Sequence, residues 1–281
     1  MFSFFPPQFK IIIDVAIINI FFKFYFYFLL VYISVMKELF KINIVVLIFQ
    51  LCTLFSQSSV SNTPYKLDKN LDIYLVGFSL SANIIAKIKE NQKAPLSEEE
   101  INNLNHENIL KLDRKVINNW NIKSKSVSDV LLYSSIFIPS LLFSKDKIRS
   151  DSQNFTFIWL QAFSLNLGLT DLTKTVFGRK RPYLYGKKAT MIEKLKHDNQ
   201  RSFFSGHTSV SAVSCFIAAQ MFEDYYPNSK FSNYFWLLAG TIPAVTGYMR
   251  IKAGKHFYTD VVVGYFVGAS IGILIPSIHK K

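Results

Sequence analysis

Residues 201–222 read RSFFSGHTSVSAVSCFIAAQMF, and the turn inside this stretch decides how the rest of the chain is understood. A polar segment ends in Ser205-Gly206-His207, and an apolar run from Thr208 to Phe222 follows without a single charge. A small polar residue before such a run starts a helix, and the first-turn N–H groups, here those of Gly206 and His207, are left free to hold an anion.

The same alternation of polar loop and apolar run extends in both directions. Six runs follow one another from residue 71: Leu71 to Ala86, Val130 to Ser144, Phe155 to Leu172, Thr208 to Phe222, Tyr234 to Met249 and Val261 to Ile278. Most are nearer 16 than 20 residues and carry Ser, Thr or Asn, so each alone falls short of the usual spanning length and should pack on its neighbours. Asp72, Ser79, Ser81 and Asn83 make the first run the one expected to cross a bilayer incompletely. Gly264, Gly268, Ala269 and Gly272 give the last run a face for close helix packing. The expectation is an all-α, six-helix transmembrane bundle; the alternative is a soluble all-α bundle.

Composition agrees with a membrane protein. Half of the 281 residues are hydrophobic and 27 Phe with 14 Tyr supply apolar surface far beyond what a disordered chain carries. The two cysteines, Cys52 and Cys215, lie inside apolar runs and offer neither a disulfide framework nor a thiolate metal cluster. Ahead of the bundle, residues 1–70 hold apolar runs from Ile11 to Met36 and Ile42 to Phe55. They read as a signal-like or membrane-anchoring segment and linker, with Met36 as the favoured start of a secretory signal, and residues 71–281 form the main domain. Between the first two runs, Ser97 and Glu100 form a capping box after Pro95, and Ile101, Leu104, Ile109 and Leu110 predict an amphipathic surface helix.

Charge is unevenly spread. The loop from Lys174 to Arg201 carries nine Lys or Arg against Glu193 and Asp198, more than half of the chain's net charge of +13. An anionic partner is attracted there. Nucleic acid is not expected, because the loop lies between apolar helices and carries no nucleic-acid motif.

Specific residues in and after this loop stand at helix ends: Lys174 with Arg181-Pro182, Ser205-Gly206-His207, and Arg250 with His256 and Asp260. Alternating spans bring all these ends to one face. Lys174, Arg181 and Arg250 suit the oxygens of a phosphate. One of the two histidines can attack phosphorus while the other protonates the leaving oxygen, provided that a carboxylate fixes the attacking ring; the i, i+4 spacing lets Asp260 reach His256.

Lys174-x6-Arg181-Pro182, Ser205-Gly206-His207 and Arg250-x5-His256-x3-Asp260 resemble the three signature motifs of the type 2 phosphatidic acid phosphatase superfamily. The likeness runs from about Leu71 to the end, with Phe204 where that family usually has Pro and Met249 where it often has Ser. The resemblance implies a lipid phosphate or lipid pyrophosphate phosphatase in which His256 is the nucleophile that forms a phosphohistidine, Asp260 orients it and His207 is the general acid. Lys174, Arg181, Arg250 and the Ser205-Gly206 turn would bind the phosphate with no metal and no cofactor. It also implies a multi-pass protein, here expected in a bacterial inner membrane with the catalytic face outside the cytoplasm. Three other readings stand beside it: a vanadate-dependent haloperoxidase-like enzyme, a broad-specificity soluble-substrate acid phosphatase, and a membrane anchor with a basic head-group-binding loop. Asp171, three residues before Lys174, is expected to pair with it, while His106, His197 and His279 are expected to be structural or solvated.

Overall fold

The computed structural model describes residues 63–281. The N-terminal runs, the Met36 start and Cys52 therefore lie outside the described residues. Regular structure among the described residues is helical, with one isolated antiparallel bridge between Tyr65 and Lys280.

Six principal helices follow one another, and each is longer than its apolar run. Helix α1 spans Lys69–Asn91 and is capped by Asp68, whose carboxylate accepts from the N–H groups of Asn70 and Leu71. Helix α2 spans Ile122–Ile136 under an Asn121 cap and continues, bent by 40°, through Ile138–Ser144, with Pro139 in the continuation. Helix α3, Ser152–Phe177, ends at Gly178, whose φ of 55° suits a residue without Cβ. Helices α4 (Gly206–Tyr225), α5 (Ser232–Lys252) and α6 (Tyr258–Ile278) complete the set. Because helical backbone continues past the apolar residues, Lys174, His207, Arg250 and Asp260 all sit in the terminal turns of helices rather than in loops.

By length and composition α1 and α6 can each cross a membrane, and α2 with its bent continuation makes a third candidate. In α1 the polar residues Asp72, Ser79 and Asn83 are buried. The adjoining exposed face carries Ile73, Phe78, Ile84 and Ile88, so the polarity read as a barrier to crossing is turned inward except at Ser81, which is exposed and donates its hydroxyl to the Gly77 carbonyl. Helix α3 hides Gln161, Ser164, Asn166 and Thr170, and α4 hides Ser209, Ser211 and Ser214, which lowers their hydropathy without exposing polar groups.

Helix α4 is the centre of the bundle. Its approach to α6 depends on the small residues noted above: a Cβ on Gly264 would lie 2.6 Å from the Ser205 carbonyl, one on Gly272 2.9 Å from the Val213 carbonyl, and one on Gly268 would collide with the Ser209 carbonyl. Away from the site, Phe155, Phe157, Ile158, Ile217, Met221 and Phe222 form the main apolar core. Tyr65 and Leu67, from the segment read as linker, are buried in the same core.

The amphipathic surface helix does not extend as expected. The Ser97–Glu100 capping box is present, but its helix covers only Glu98–Asn102. Asn105 then accepts from the Glu107 N–H and starts a separate 3-10 turn at His106–Asn108. Local side-chain-to-backbone bonding of this kind competes with helix and outweighs the apolar spacing.

Candidate active site

The ends of α3 and α5 and the starts of α4 and α6 meet on one face. Lys174, in the last turn of α3, reaches across the start of α4; a Cβ at position 206 would come within 2.9 Å of its Nζ, so Gly206 is the residue that admits the ammonium. Ser205 is buried at the helix start, its hydroxyl 2.9 Å from the Thr208 hydroxyl and its N–H donating to the Asp260 carbonyl at 2.9 Å. The first turn of α4 is thereby tied to that of α6.

His207 and Arg250 share a partner that the sequence does not single out. Asp129 of α2 lies 2.8 Å from His207 Nε2 and 3.5 Å from Arg250 Nη1, and Ser128 Oγ is 3.3 Å from the same Arg250 nitrogen. A carboxylate only accepts, so Nε2 carries the proton of that imidazole bond. Arg250 is buried, and its Nε meets no acceptor among the described residues.

His256 is held differently. Its Nδ1 lies 2.8 Å from the Ser202 carbonyl, which can only accept, so Nδ1 bears the hydrogen and Nε2 keeps its lone pair. That nitrogen is 3.3 Å from Arg181 Nη1. The ring is buried, and burial first, then the positive charges of Arg181, Arg250 and Lys174, hold its pKa well below the ordinary histidine value. The imidazole is therefore neutral at neutral pH.

Asp260 reaches His256 only at 3.6 Å, beyond hydrogen-bond length. Instead it accepts from Ser202 Oγ at 2.5 Å, from the Phe257 N–H at 2.9 Å and from Arg179 Nη1 at 2.5 Å. The i, i+4 spacing brings the two side chains together as expected, but the orienting bond to the ring comes from the Ser202 backbone that Asp260 fixes. Arg179 in turn donates to Asp113 at 2.8 Å, and Asp113 accepts from the Thr259 hydroxyl at 2.6 Å. Asp113, Asp129, Arg179 and Ser202 all escape a reading of the sequence alone.

Arg181 is fixed by three donated bonds, from Nε to the Asp198 carbonyl at 2.8 Å, from Nη2 to the Asp198 carboxylate at 2.5 Å and from Nη1 to the Lys255 carbonyl at 2.9 Å. Such a guanidinium is prearranged for an anion. Much of the excess charge of the 174–201 loop is internally matched. Arg201 pairs with Glu90 at 2.5 Å and with Asp171 at 2.8 Å, so the direct ion pair of Asp171 goes to Arg201, and Asp171 acts on Lys174 through its charge. Lys187 and Lys188 remain exposed.

The other histidines lie elsewhere. His106 is exposed, His197 Nε2 is 3.2 Å from the Lys93 carbonyl, and His279 is buried 2.8 Å from Asp72. Among the described residues no group of three or more His, Cys, Asp or Glu is arranged to hold a metal ion.

The assembled groups are three convergent cations, one neutral imidazole with an unprotonated nitrogen beside Arg181, and a second imidazole on a carboxylate. Comparison with known proteins gives the same family that the motifs suggested. The PAP2 superfamily model matches residues 155–281. A PA-phosphatase related-family protein of Dictyostelium discoideum is 26% identical over 161 residues, covering 52% of this chain and 58% of that protein. Phosphatidylglycerophosphatase B of Bacillus subtilis is 31% identical over 88 residues, covering 31% and 43%. The chain thus spans about half the length of these curated relatives. Among solved structures, a transmembrane PAP2-type phosphatidylglycerolphosphate phosphatase from Bacillus subtilis aligns with a TM-score of 0.43 at 19% identity over 84% of this chain and 94% of that one. LpxE of Aquifex aeolicus aligns with a TM-score of 0.40 at 23% identity over 61% and 98%. Over the stretch that carries all three motifs, residues 155–281, this chain is similar to the PAP2 superfamily.

Proposed function

We propose that the protein is a membrane phosphatase that removes phosphate from a lipid phosphate or lipid pyrophosphate through a phosphohistidine at His256, with residues 71–281 as the phosphatase domain. The observation that carries this reading is the state of His256: Nδ1–H is committed to the Ser202 carbonyl while the unprotonated Nε2 lies beside Arg181. In the first step Nε2 of His256 attacks phosphorus, the bond from phosphorus to the leaving oxygen breaks, and His207, entering the step as an imidazolium whose Nε2–H stays on Asp129, gives that oxygen its Nδ1 proton. In the second step His207 takes a proton from water, the resulting hydroxide attacks phosphorus, and the phosphorus–nitrogen bond breaks to release inorganic phosphate. Lys174, Arg181 and Arg250, with the N–H groups that open α4 at Gly206, stabilise the charge on the phosphoryl oxygens, which is the work a metal would otherwise do. Ser205 positions this turn, with its N–H on the Asp260 carbonyl and its hydroxyl engaged by Thr208. The relatives' names support a lipid substrate, as do the exposed apolar residues beside the site-bearing helices.

Brief reaction with ³²P-labelled lipid phosphate followed by alkaline denaturation tests this. Wild type should retain acid-labile label and His256→Ala none; activity that survives EDTA and is inhibited by vanadate is also expected. Absence of label on wild type under burst conditions counts against the covalent route, and loss of activity in EDTA restored by a divalent ion counts against the metal-free one.

We further assign the protein as a multi-pass protein of a bacterial inner membrane with this face outside the cytoplasm. A compartment-specific reporter inserted beside Lys187 reads the side directly, and a cytoplasmic signal would reverse the assignment.

A further inference from the structure

The stretch that leads into α2 reaches the active site through one carboxylate. Asp113 is fully buried at the start of a 3-10 turn, Asp113–Val116, ahead of the residues that the family model matches. Apolar packing seats this turn: Ile109 and Val116 cluster with Ile251 at the end of α5 and with Phe257 and Val261 at the start of α6. Arg114 braces the same stretch by donating from Nε to the Ile109 carbonyl at 2.8 Å. Asp113 is thereby held against the residues that flank His256.

The side-chain bonds of Asp113 lead toward that histidine. Its Oδ2 accepts from Arg179 Nη2 at 2.8 Å and from the Thr259 hydroxyl at 2.6 Å, and its Oδ1 accepts from the Thr259 N–H at 3.2 Å. The other terminal nitrogen of Arg179 donates to Asp260 Oδ1 at 2.5 Å and to the Thr259 hydroxyl at 2.7 Å, while the Arg179 carbonyl accepts from the Ser202 N–H at 2.9 Å. Ser202 is therefore held at two points, its N–H by Arg179 and its hydroxyl by Asp260. Its carbonyl is the acceptor that fixes the His256 tautomer.

Charge gives this chain of bonds a second use. As Nε2 bonds to phosphorus the ring acquires positive charge, which Arg181, Arg250 and Lys174 oppose. The Asp260 carboxylate, 3.6 Å from Nδ1, favours that charge. A guanidinium paired with Asp260 alone would cancel it. Because Asp113 pairs with the same guanidinium, two carboxylates share one cation and the group stays negative overall.

Resting on the phosphatase reading above, we infer that Asp113 is a positioning residue for the nucleophile, holding Arg179 so that the Ser202 carbonyl orients the His256 ring and Asp260 keeps the charge that stabilises the ring as phosphorus is bonded. None of its bonds goes to Lys174, Arg181 or Arg250, so its loss slows the chemical step without weakening the hold on phosphate.

Steady-state kinetics on dioctanoyl phosphatidate in detergent test this in wild type, Asp113→Asn, Arg179→Gln and the double variant. Asp113→Asn should lower kcat per folded molecule by about 30-fold while KM and the inhibition constant of inorganic phosphate stay within about threefold. The double variant should be no slower than Arg179→Gln, because both changes break one chain of bonds. A kcat within about threefold of wild type, a loss confined to KM, or losses that multiply in the double variant overturn the assignment. A second readout needs no turnover. In protein labelled with ¹⁵N-histidine, the Nδ1–H signal of His256, identified by its loss in His256→Ala, should shift or broaden in Asp113→Asn and in Thr259→Val, which removes only the hydroxyl between Asp113 and Arg179. A signal unchanged in both variants overturns the positioning role, and Thr259→Val alone decides it if Asp113→Asn does not fold. If wild type hydrolyses no lipid phosphate, the phosphatase reading fails on its own and the histidine signal still decides whether Asp113 positions the ring.

Discussion

The two ends of the bundle both bury charged and polar side chains, yet they do so in opposite ways. At the end away from the site, Tyr65 donates to Asp224 at 2.7 Å, Tyr225 donates to Asp151 at 2.6 Å, and His279 lies between Asp72 and the Ile275 carbonyl. The donors there are mainly hydroxyls, side-chain amides such as that of Gln161 on Asp72, and one imidazole, with the Lys280 ammonium paired to Asp224, and each is used up by a neighbour within the chain. At the site end, Lys174, Arg181, Arg250 and Lys255 crowd together around Asp129 and Asp198, with Arg250 Nε unbonded among the described residues and His256 Nε2 unprotonated beside Arg181. A closed polar cluster specifies which helices meet. An open one with surplus charge of one sign is built for an anion that arrives from outside.

Four substitutions or titrations probe that contrast, beginning with the strongest expected effect. His256→Ala should lower kcat by about 10³-fold or more, since it removes the unprotonated nitrogen that lies beside Arg181. Steady-state assays in detergent check this, and a loss below tenfold would remove His256 from the covalent role. Asp129→Asn should lower kcat by about 10²-fold, because it removes the charge that His207 and Arg250 share. Its pH–rate profile should move as well, which a purely structural carboxylate would not cause.

Acidification is the next probe. The pKa of His256 is depressed in the folded state, so the nucleophile stays unprotonated as pH falls below the ordinary histidine value of about 6.5. The limb of the kcat/KM profile due to nucleophile protonation should therefore lie below that value. Unfolded chain takes up that proton first, so the stability contributed by neutral His256 is present above about pH 6.5 and is lost as pH falls toward its folded pKa. Finally, His279→Ala should lower thermal stability by about 3 kcal/mol by leaving Asp72 buried without its imidazole partner. Turnover per folded molecule should change less than twofold. A large fall in turnover at unchanged stability would show that the closed end also takes part in the reaction.

Much of this was legible in the sequence because the information is local. Apolar runs locate the six helices, and the spacings around Lys174, His207 and His256 bring the charged ends to one face. The glycines of α6 announce its close approach to α4, and the geometry bears that out. What escaped was pairing across distance. Asp129 is a lone carboxylate at the edge of an apolar run, and only the fold brings it to His207, 78 residues away. Arg179 looked like one more charge in a basic loop until the fold set it between Asp113 and Asp260. Ser202 works mainly through its backbone carbonyl, which every residue possesses, so its identity gives no signal of that role. The surface helix failed for the opposite reason: local capping by Asn105 was stronger than the apolar spacing used to predict it.

The short bridge between Tyr65 and Lys280 fixes more than two residues. It ties the stretch that enters α1 to the stretch that leaves α6, so positions 63 and 281 emerge together at the end of the bundle away from His256. For a bundle set across a bilayer this means an even number of crossings between them. A sorting reporter joined after Lys281 would thus declare the compartment that the substrate phosphate does not occupy. A signal cleaved ahead of residue 63 would release that shared end outside and turn the active face inward, so removal of the leader and an outward-facing site exclude one another.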